Sequence, residues 1–150
     1  MTKFDKYFLS KLKKDKKTST WMPTKVVYSD EGMKSWQGGY CKYLPCSNYI
    51  QIREKYKNDK GILAHELTHA RQHGLFLFFH PLLTFFDKYT LFIELDAYRE
   101  QVKAYNYTKE GQYMWIVNAL VDPNRYGLNI SMEEAMEYAD FMFGDLINKD

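Results

Sequence analysis

Two histidines spaced four residues apart are the most informative feature of the sequence. His65 and His69 lie in the segment HELTHARQ, residues 65 to 72. On an α-helix, side chains four residues apart share one face, so both imidazoles can bind one zinc ion at about 2.0–2.1 Å. Glu66 is rotated from His65 by about 100° and can reach a water molecule on that ion without being a ligand. The spacing therefore predicts zinc-dependent hydrolysis with Glu66 as the general base.

A third zinc ligand must come from outside this segment, because catalytic zinc sites commonly have three protein ligands. Glu94 is our choice, since it lies in an otherwise apolar part of a second predicted helix, where a buried carboxylate needs a positively charged partner. Asp96 is the alternative ligand, or else an outer acceptor for an imidazole N–H. His80 is a further alternative. His73 lies about 12 Å from His65 along the helix axis and is not expected to share the ion.

Two segments resemble the zincin metallopeptidases. HELTHARQ looks like the active-site helix of that family, and ELDAYREQ, residues 94 to 101, looks like the second helix of its gluzincin branch. The pairing is similar to that of small bacterial and phage zinc peptidases of the ImmA/IrrE type. The resemblance implies that His65, His69 and Glu94 bind zinc, that Glu66 is the general base, and that the substrate is a peptide or a protein.

The function predicted from these residues is that of a zinc peptidase. The alternative is a non-catalytic zinc-binding or protein-interaction domain that retains a zincin fold. Three tyrosines on or after the second helix, Tyr98, Tyr105 and Tyr107, are candidates for stabilising an oxyanion, and Tyr98 is also a candidate for the outer shell of the metal. An extended peptide substrate is expected to lie along a sheet edge formed by Tyr49 to Arg53.

Length and composition predict one domain over residues 1–150, because 45% of the residues are hydrophobic and 17% are aromatic. A net charge of +2 does not favour a nucleic-acid partner. The N-terminal segment has no apolar run long enough for a signal peptide, and we expect Cys41 and Cys46 to be reduced. These features predict a cytoplasmic protein.

The predicted elements begin with strands and continue with helices, which is typical of an α+β fold. We expect a small zincin-like domain with a short N-terminal sheet, an active-site helix and C-terminal helices. An amphipathic helix over residues 2–17 should bury Phe4, Tyr7, Phe8 and Leu12. The remaining predictions are strands at 24–29 and 48–53, and helices between 58 and 74, at 86–105, at 113–121 and from 131 to just before 148.

The segment from Leu75 to Phe86 is almost entirely apolar. It is shorter than the about 20 residues that a membrane span needs, so we favour a buried connection in the hydrophobic core. The alternative is a membrane-surface or partner contact next to the active site. A run of lysines between Lys11 and Lys17 is expected to be a solvated helix face, with attachment to an anionic partner as the alternative.

Overall fold

The protein has an α+β fold, as predicted, with a small three-stranded sheet and several helices. The computed structural model describes residues 1–14, 21–76, 79–105 and 110–147. A single turn of 3-10 helix, Glu54–Tyr56, follows the last strand. The other elements, in chain order, are α1 (Lys3–Lys13), β1 (Thr24–Tyr28), β2 (Gly39–Leu44), β3 (Ser47–Ile52), α2 (Lys60–Phe76), α3 (Phe79–Leu83), α4 (Asp87–Tyr105), α5 (Glu110–Val121) and α6 (Met132–Ile147).

The strand β3 lies in the middle of the sheet. It pairs in parallel with β1 and antiparallel with β2, which gives the order β1-β3-β2. The prediction of a sheet edge at Tyr49 to Arg53 is therefore wrong. The edge beside α2 is β2, which the sequence did not reveal because GYCKYL contains no β-branched residue. Cys41 and Cys46, in and just after β2, are free thiols.

Helix α2 lies between the sheet and α4. Asp59 caps its start, because the Asp59 Oδ1 accepts a hydrogen bond from the backbone N–H of Ile62 at 2.9 Å. The helix continues through Gly74 to Phe76, so the predicted end at Gly74 is wrong. Most of the second and third turns of α4 are buried. Polar side chains of α2 that face these turns are therefore shielded from bulk water.

A hydrophobic core joins α1, α4, α5 and α6. Asp5 on α1 is buried there, where its carboxylate contacts Lys88 Nζ at 2.9 Å and accepts a hydrogen bond from the Tyr138 hydroxyl at 2.9 Å. Burial alone would raise the pKa of Asp5, but hydrogen bonds from Thr2, Lys88 and Tyr138 lower it to about 2. The inward face of α1 is therefore the one that carries Asp5.

The outward face of α1 differs from the prediction. Leu9 and Leu12 follow Asp5 on the buried face at helical spacing, while Phe4 and Tyr7 are more than half exposed. The predicted burial of Phe4 and Tyr7 is thus wrong, because the charged contacts of Asp5 fix the rotation of the helix. Phe8 is half-buried between the two faces, where its ring stacks on Phe92.

The connection between α2 and α4 is also more exposed than predicted. Its described large side chains at Leu75, Phe79, Leu82, Phe85 and Phe86 are each more than half exposed, so they do not form a buried core connection. Residues 77 and 78 lie outside the described part of the chain. Within the described ranges, no helix combines the length and the apolar character needed to cross a bilayer.

Candidate metal centre

Three buried side chains converge between α2 and α4. The Nε2 atoms of His65 and His69 are 3.1 Å apart, and they lie 3.4 Å and 3.5 Å from the two carboxylate oxygens of Glu94. Ligand atoms at about 2.0–2.1 Å from a tetrahedral zinc ion are about 3.3 Å from one another, so these separations fit one ion. The Oε2 atom of Glu94 accepts no hydrogen bond from the described residues. These three side chains could hold a metal ion, and we call them the metal-binding group because of their donor atoms.

The charges around the three residues favour a cation. Burial alone would raise the pKa of Glu94, but His69 and His65 hold it well below its usual value. Burial would lower the pKa of His69, but the carboxylates of Glu94 and Glu66 raise it to about 9. The two carboxylates therefore stabilise positive charge at the imidazoles, and a divalent cation would supply the same charge.

Gln72 orients one of the two imidazoles. The Nδ1 atom of His69 lies 2.9 Å from Gln72 Oε1, which can only accept, so Nδ1 carries the proton and Nε2 is the nitrogen available to a metal ion. The Gln72 amide N–H donates to the backbone oxygen of Ile93 and to Asp96 Oδ2, each at 3.0 Å. We did not predict this residue, although its position three residues after His69 would have placed it on the same face.

Asp96 lies outside the metal-binding group. Its carboxylate contacts the Arg71 guanidinium at 2.6 Å and accepts the hydrogen bond from Gln72, and both Arg71 and Asp96 are buried. The structure thus connects Asp96 to His69 only through Gln72, and not by direct contact with an imidazole.

The two remaining histidines lie on the other side of Tyr43. The Nδ1 atom of His73 is 2.7 Å from Asn48 Oδ1, and the Nδ1 atom of His80 is 2.7 Å from the Tyr89 hydroxyl. Both imidazoles pack against the Tyr43 ring, with centroid separations of 4.9 Å and 4.3 Å. Burial, reinforced by His69 and His73, lowers the pKa of His80 to about 4. Neither residue belongs to the metal-binding group.

Glu66 is buried beside the two histidines and lines the same cavity as Glu94. Burial raises the pKa of Glu66 above its usual value, although His65 and His69 oppose the shift. Gly39 of β2 leaves the space for this side chain, because a Cβ atom at residue 39 would be 2.9 Å from both Cγ and Oε1 of Glu66. This close approach explains why residue 39 is a glycine.

The cavity has a volume of about 650 Å³ and extends from the metal-binding group to α5 and the loop after it. The Tyr98 ring packs against His65 with centroids 4.7 Å apart, and the Tyr98 hydroxyl is 2.5 Å from the Tyr126 hydroxyl. Tyr105 also lines the cavity, where its hydroxyl donates to Asp59 at 2.6 Å. Tyr107 lies outside the described residues.

The sequence analysis did not predict the residues that line the cavity on the side of α5 and the loop after it. Trp115 and Arg125 stack there, with the guanidinium carbon 5.3 Å from the ring centroid, and Tyr126 follows in the same loop. No periodic pattern marks this loop, so the sequence carried no signal for its role. Comparison with protein-family models, with curated proteins and with solved structures found no match to this chain.

Proposed function

We propose that the protein is a zinc peptidase in which His65, His69 and Glu94 hold the metal and Glu66 is the general base. The observation that carries the proposal is the convergence of two imidazole nitrogens and one carboxylate within 3.5 Å, at the wall of a cavity that Glu66 also lines. Zinc would supply a Lewis acid that polarises a carbonyl and acidifies water. The donor set of two imidazoles and one carboxylate suits this metal.

Glu66 would move the proton during the reaction. Its carboxylate accepts a proton from the attacking water and returns it to the nitrogen of the departing amine. The raised pKa of Glu66 suits this exchange, because a base whose pKa lies nearer neutrality both takes and releases a proton more readily. Glu66 is not one of the three metal-binding residues, yet it follows His65 directly and lines the cavity. This position suits a base that acts on a water molecule beside the metal.

The substrate backbone would lie against β2. This strand is one of the two edges of the described sheet, and Gly39, Tyr40, Cys41 and Tyr43 line the cavity. An extended peptide can add to such an edge through main-chain hydrogen bonds. The hydroxyls of Tyr98 and Tyr126 lie on the opposite side of the site, where one of them can donate a hydrogen bond to the oxygen of the scissile carbonyl.

The proposal is tested by the metal content of the purified protein and by its activity on a mixed peptide library. We expect about one equivalent of zinc per chain in the wild-type protein, and loss of this zinc from the variant His69→Ala. Peptide cleavage should stop when a chelator removes the metal and return when zinc is added back. A protein without transition metal refutes the proposal. If the protein contains zinc but cleaves no peptide, it is instead the non-catalytic zinc-binding domain of the alternative prediction.

Replacement of Gly39 by alanine should impair hydrolysis without removing zinc. The added methyl group would collide with Glu66 and displace its carboxylate, and a misplacement of about 1 Å can lower a rate about a hundredfold. The measurement is kcat/KM for a cleaved peptide together with zinc content. Gly38→Ala is the matched control, because the atoms nearest to its Cβ would belong to Ile62, at 3.1 Å, and to Tyr56, and not to Glu66. Equal activity of the two variants would contradict the prediction.

A further inference from the structure

We propose that one end of the molecule binds the surface of a lipid bilayer that contains anionic lipids. Large apolar side chains that are each between 58% and 82% exposed define this surface, which we call the aromatic patch. The other exposed large hydrophobic side chains of the described residues are only 37% to 47% exposed. The members of the aromatic patch are Phe4, Tyr7, Trp21, Leu75, Phe79, Leu82, Phe85 and Phe86.

The patch draws on distant parts of the chain that the fold brings together. The indole N–H of Trp21 donates to the backbone oxygen of Gly74 at 3.0 Å, which places this side chain beside Leu75. Helix α3 then follows in the connection from α2 to α4, and it contributes Phe79 and Leu82. The exposed residues of this connection therefore lie at the end of the α2–α4 pair and not along a groove between the two helices.

Helix α1 extends the patch on the other side of the α4 start. Lys88, in the first turn of α4, pairs with Asp5 of α1 at 2.9 Å. The ring of Phe4 stacks on Phe8 with centroids 6.3 Å apart, and Phe8 stacks on Phe92 of α4 at 5.3 Å. These contacts hold α1 against the first two turns of α4, which directly follow Phe85 and Phe86 in the chain.

Positive charge accompanies the apolar side chains. Three lysines on α1 and one directly after it are exposed, and the ammonium group of one of them, Lys11, lies 5.2 Å from the centroid of the Tyr7 ring. Asp87 is an exposed acid beside Phe86. Aromatic side chains favour the interfacial region of a bilayer, and lysines beside them are attracted to anionic headgroups. These exposed lysines are Lys3, Lys6 and Lys11 on α1, and Lys14 directly after it.

This charge favours a bilayer over a second copy of the chain. A two-fold dimer would set the patch against itself and would bring the α1 lysines of the two copies into one interface, where like charges repel. Anionic headgroups satisfy the lysines while the aromatic rings enter the boundary between headgroups and acyl chains. The inference does not depend on zinc or on peptide cleavage, so its failure would leave the proposed function untouched.

The test is co-sedimentation of the full chain with vesicles made from equal parts of phosphatidylcholine and phosphatidylglycerol. We expect binding that weakens with vesicles of phosphatidylcholine alone and when the ionic strength rises from about 0.1 M to about 0.5 M. The double variant Phe79→Asp with Phe85→Asp should lower the partition coefficient by about tenfold or more, since both rings are exposed and the new charges are repelled.

The double variant Met132→Asp with Met136→Asp is the matched control, because it adds the same charge at exposed positions on α6 outside the patch. It should bind like the wild-type protein, and circular dichroism should show unchanged melting for both variants. Absence of vesicle binding, or equal loss in both double variants, overturns the proposal. A further outcome would be a dimer in sedimentation equilibrium that dissociates only in the Phe79 and Phe85 double variant, together with no vesicle binding. This result would assign the aromatic patch to self-association and would also overturn the proposal.

Discussion

The variant Glu66→Gln is expected to hydrolyse peptides about a thousandfold more slowly than the wild-type protein while it keeps its zinc. Glutamine has nearly the same shape as glutamate, so it fits beside Gly39, but a neutral amide cannot take up the proton of the attacking water. The metal-binding group does not include Glu66, and its three members are unchanged in the variant. The measurements are kcat for a cleaved peptide and the zinc content of the same preparation.

Glu54→Gln is the control for this experiment, because it removes the same charge from an exposed glutamate in the turn that follows β3. Its kcat should equal that of the wild-type protein. Wild-type activity of Glu66→Gln would exclude Glu66 as the base. Loss of zinc from that variant would show that Glu66 supports the metal, and the drop in activity would then carry no information about proton transfer.

The variant Arg71→Met is expected to lower the free energy of unfolding by about 3–5 kcal/mol. Arg71 on α2 and Asp96 on α4 form a buried pair at 2.6 Å, and removal of the guanidinium leaves the carboxylate buried without its charged partner. The hydrogen bond from Gln72 does not replace that charge. Urea denaturation followed by circular dichroism measures the change.

The double variant Arg71→Met with Asp96→Leu tests whether the instability of Arg71→Met comes from the unpaired charge of Asp96 or from poorer packing. Because hydrophobic residues of similar volume often replace a buried ion pair without loss, much of the stability should return. Lys25→Met is the control, since it makes a similar substitution of a basic residue at an exposed position and should change stability by only about 0.5 kcal/mol. A double variant as unstable as Arg71→Met would mean that shape, and not charge, governs this contact.

Local patterns in the sequence predicted the part of the site that one helix carries. The spacing of His65 and His69 placed both side chains on one face of α2. The apolar surroundings of Glu94 in α4 indicated that this carboxylate is the third ligand. The structure brings these three residues together. Such patterns are readable because helical geometry relates neighbours in the sequence directly to neighbours in space.

Contacts between distant residues could not be predicted in the same way. Arg71 with Asp96 and Asp5 with Lys88 join residues on different helices, and no periodic pattern records which charges meet. The Asp5 contacts decide which face of α1 is buried, so the burial of Phe4 and Tyr7 predicted from hydrophobicity was wrong. The exposure of Phe85 was missed for a related reason, because hydrophobicity does not distinguish a core residue from one on a binding surface.

The position of the metal-binding group on two helices would give an ion bound there a mechanical role as well as a chemical one. His69 and Glu94 bracket the stretch of chain that contains α3 and most of the aromatic patch, so a cation bound by both would act as a removable cross-link around that loop. Because the unfolded chain does not hold the three ligands together, the ion would bind the folded chain alone and stabilise it by an amount that grows with the free cation concentration. Cation availability and conformational stability would then be thermodynamically linked, and a chain stripped of its ion would be easier to unfold and easier to digest.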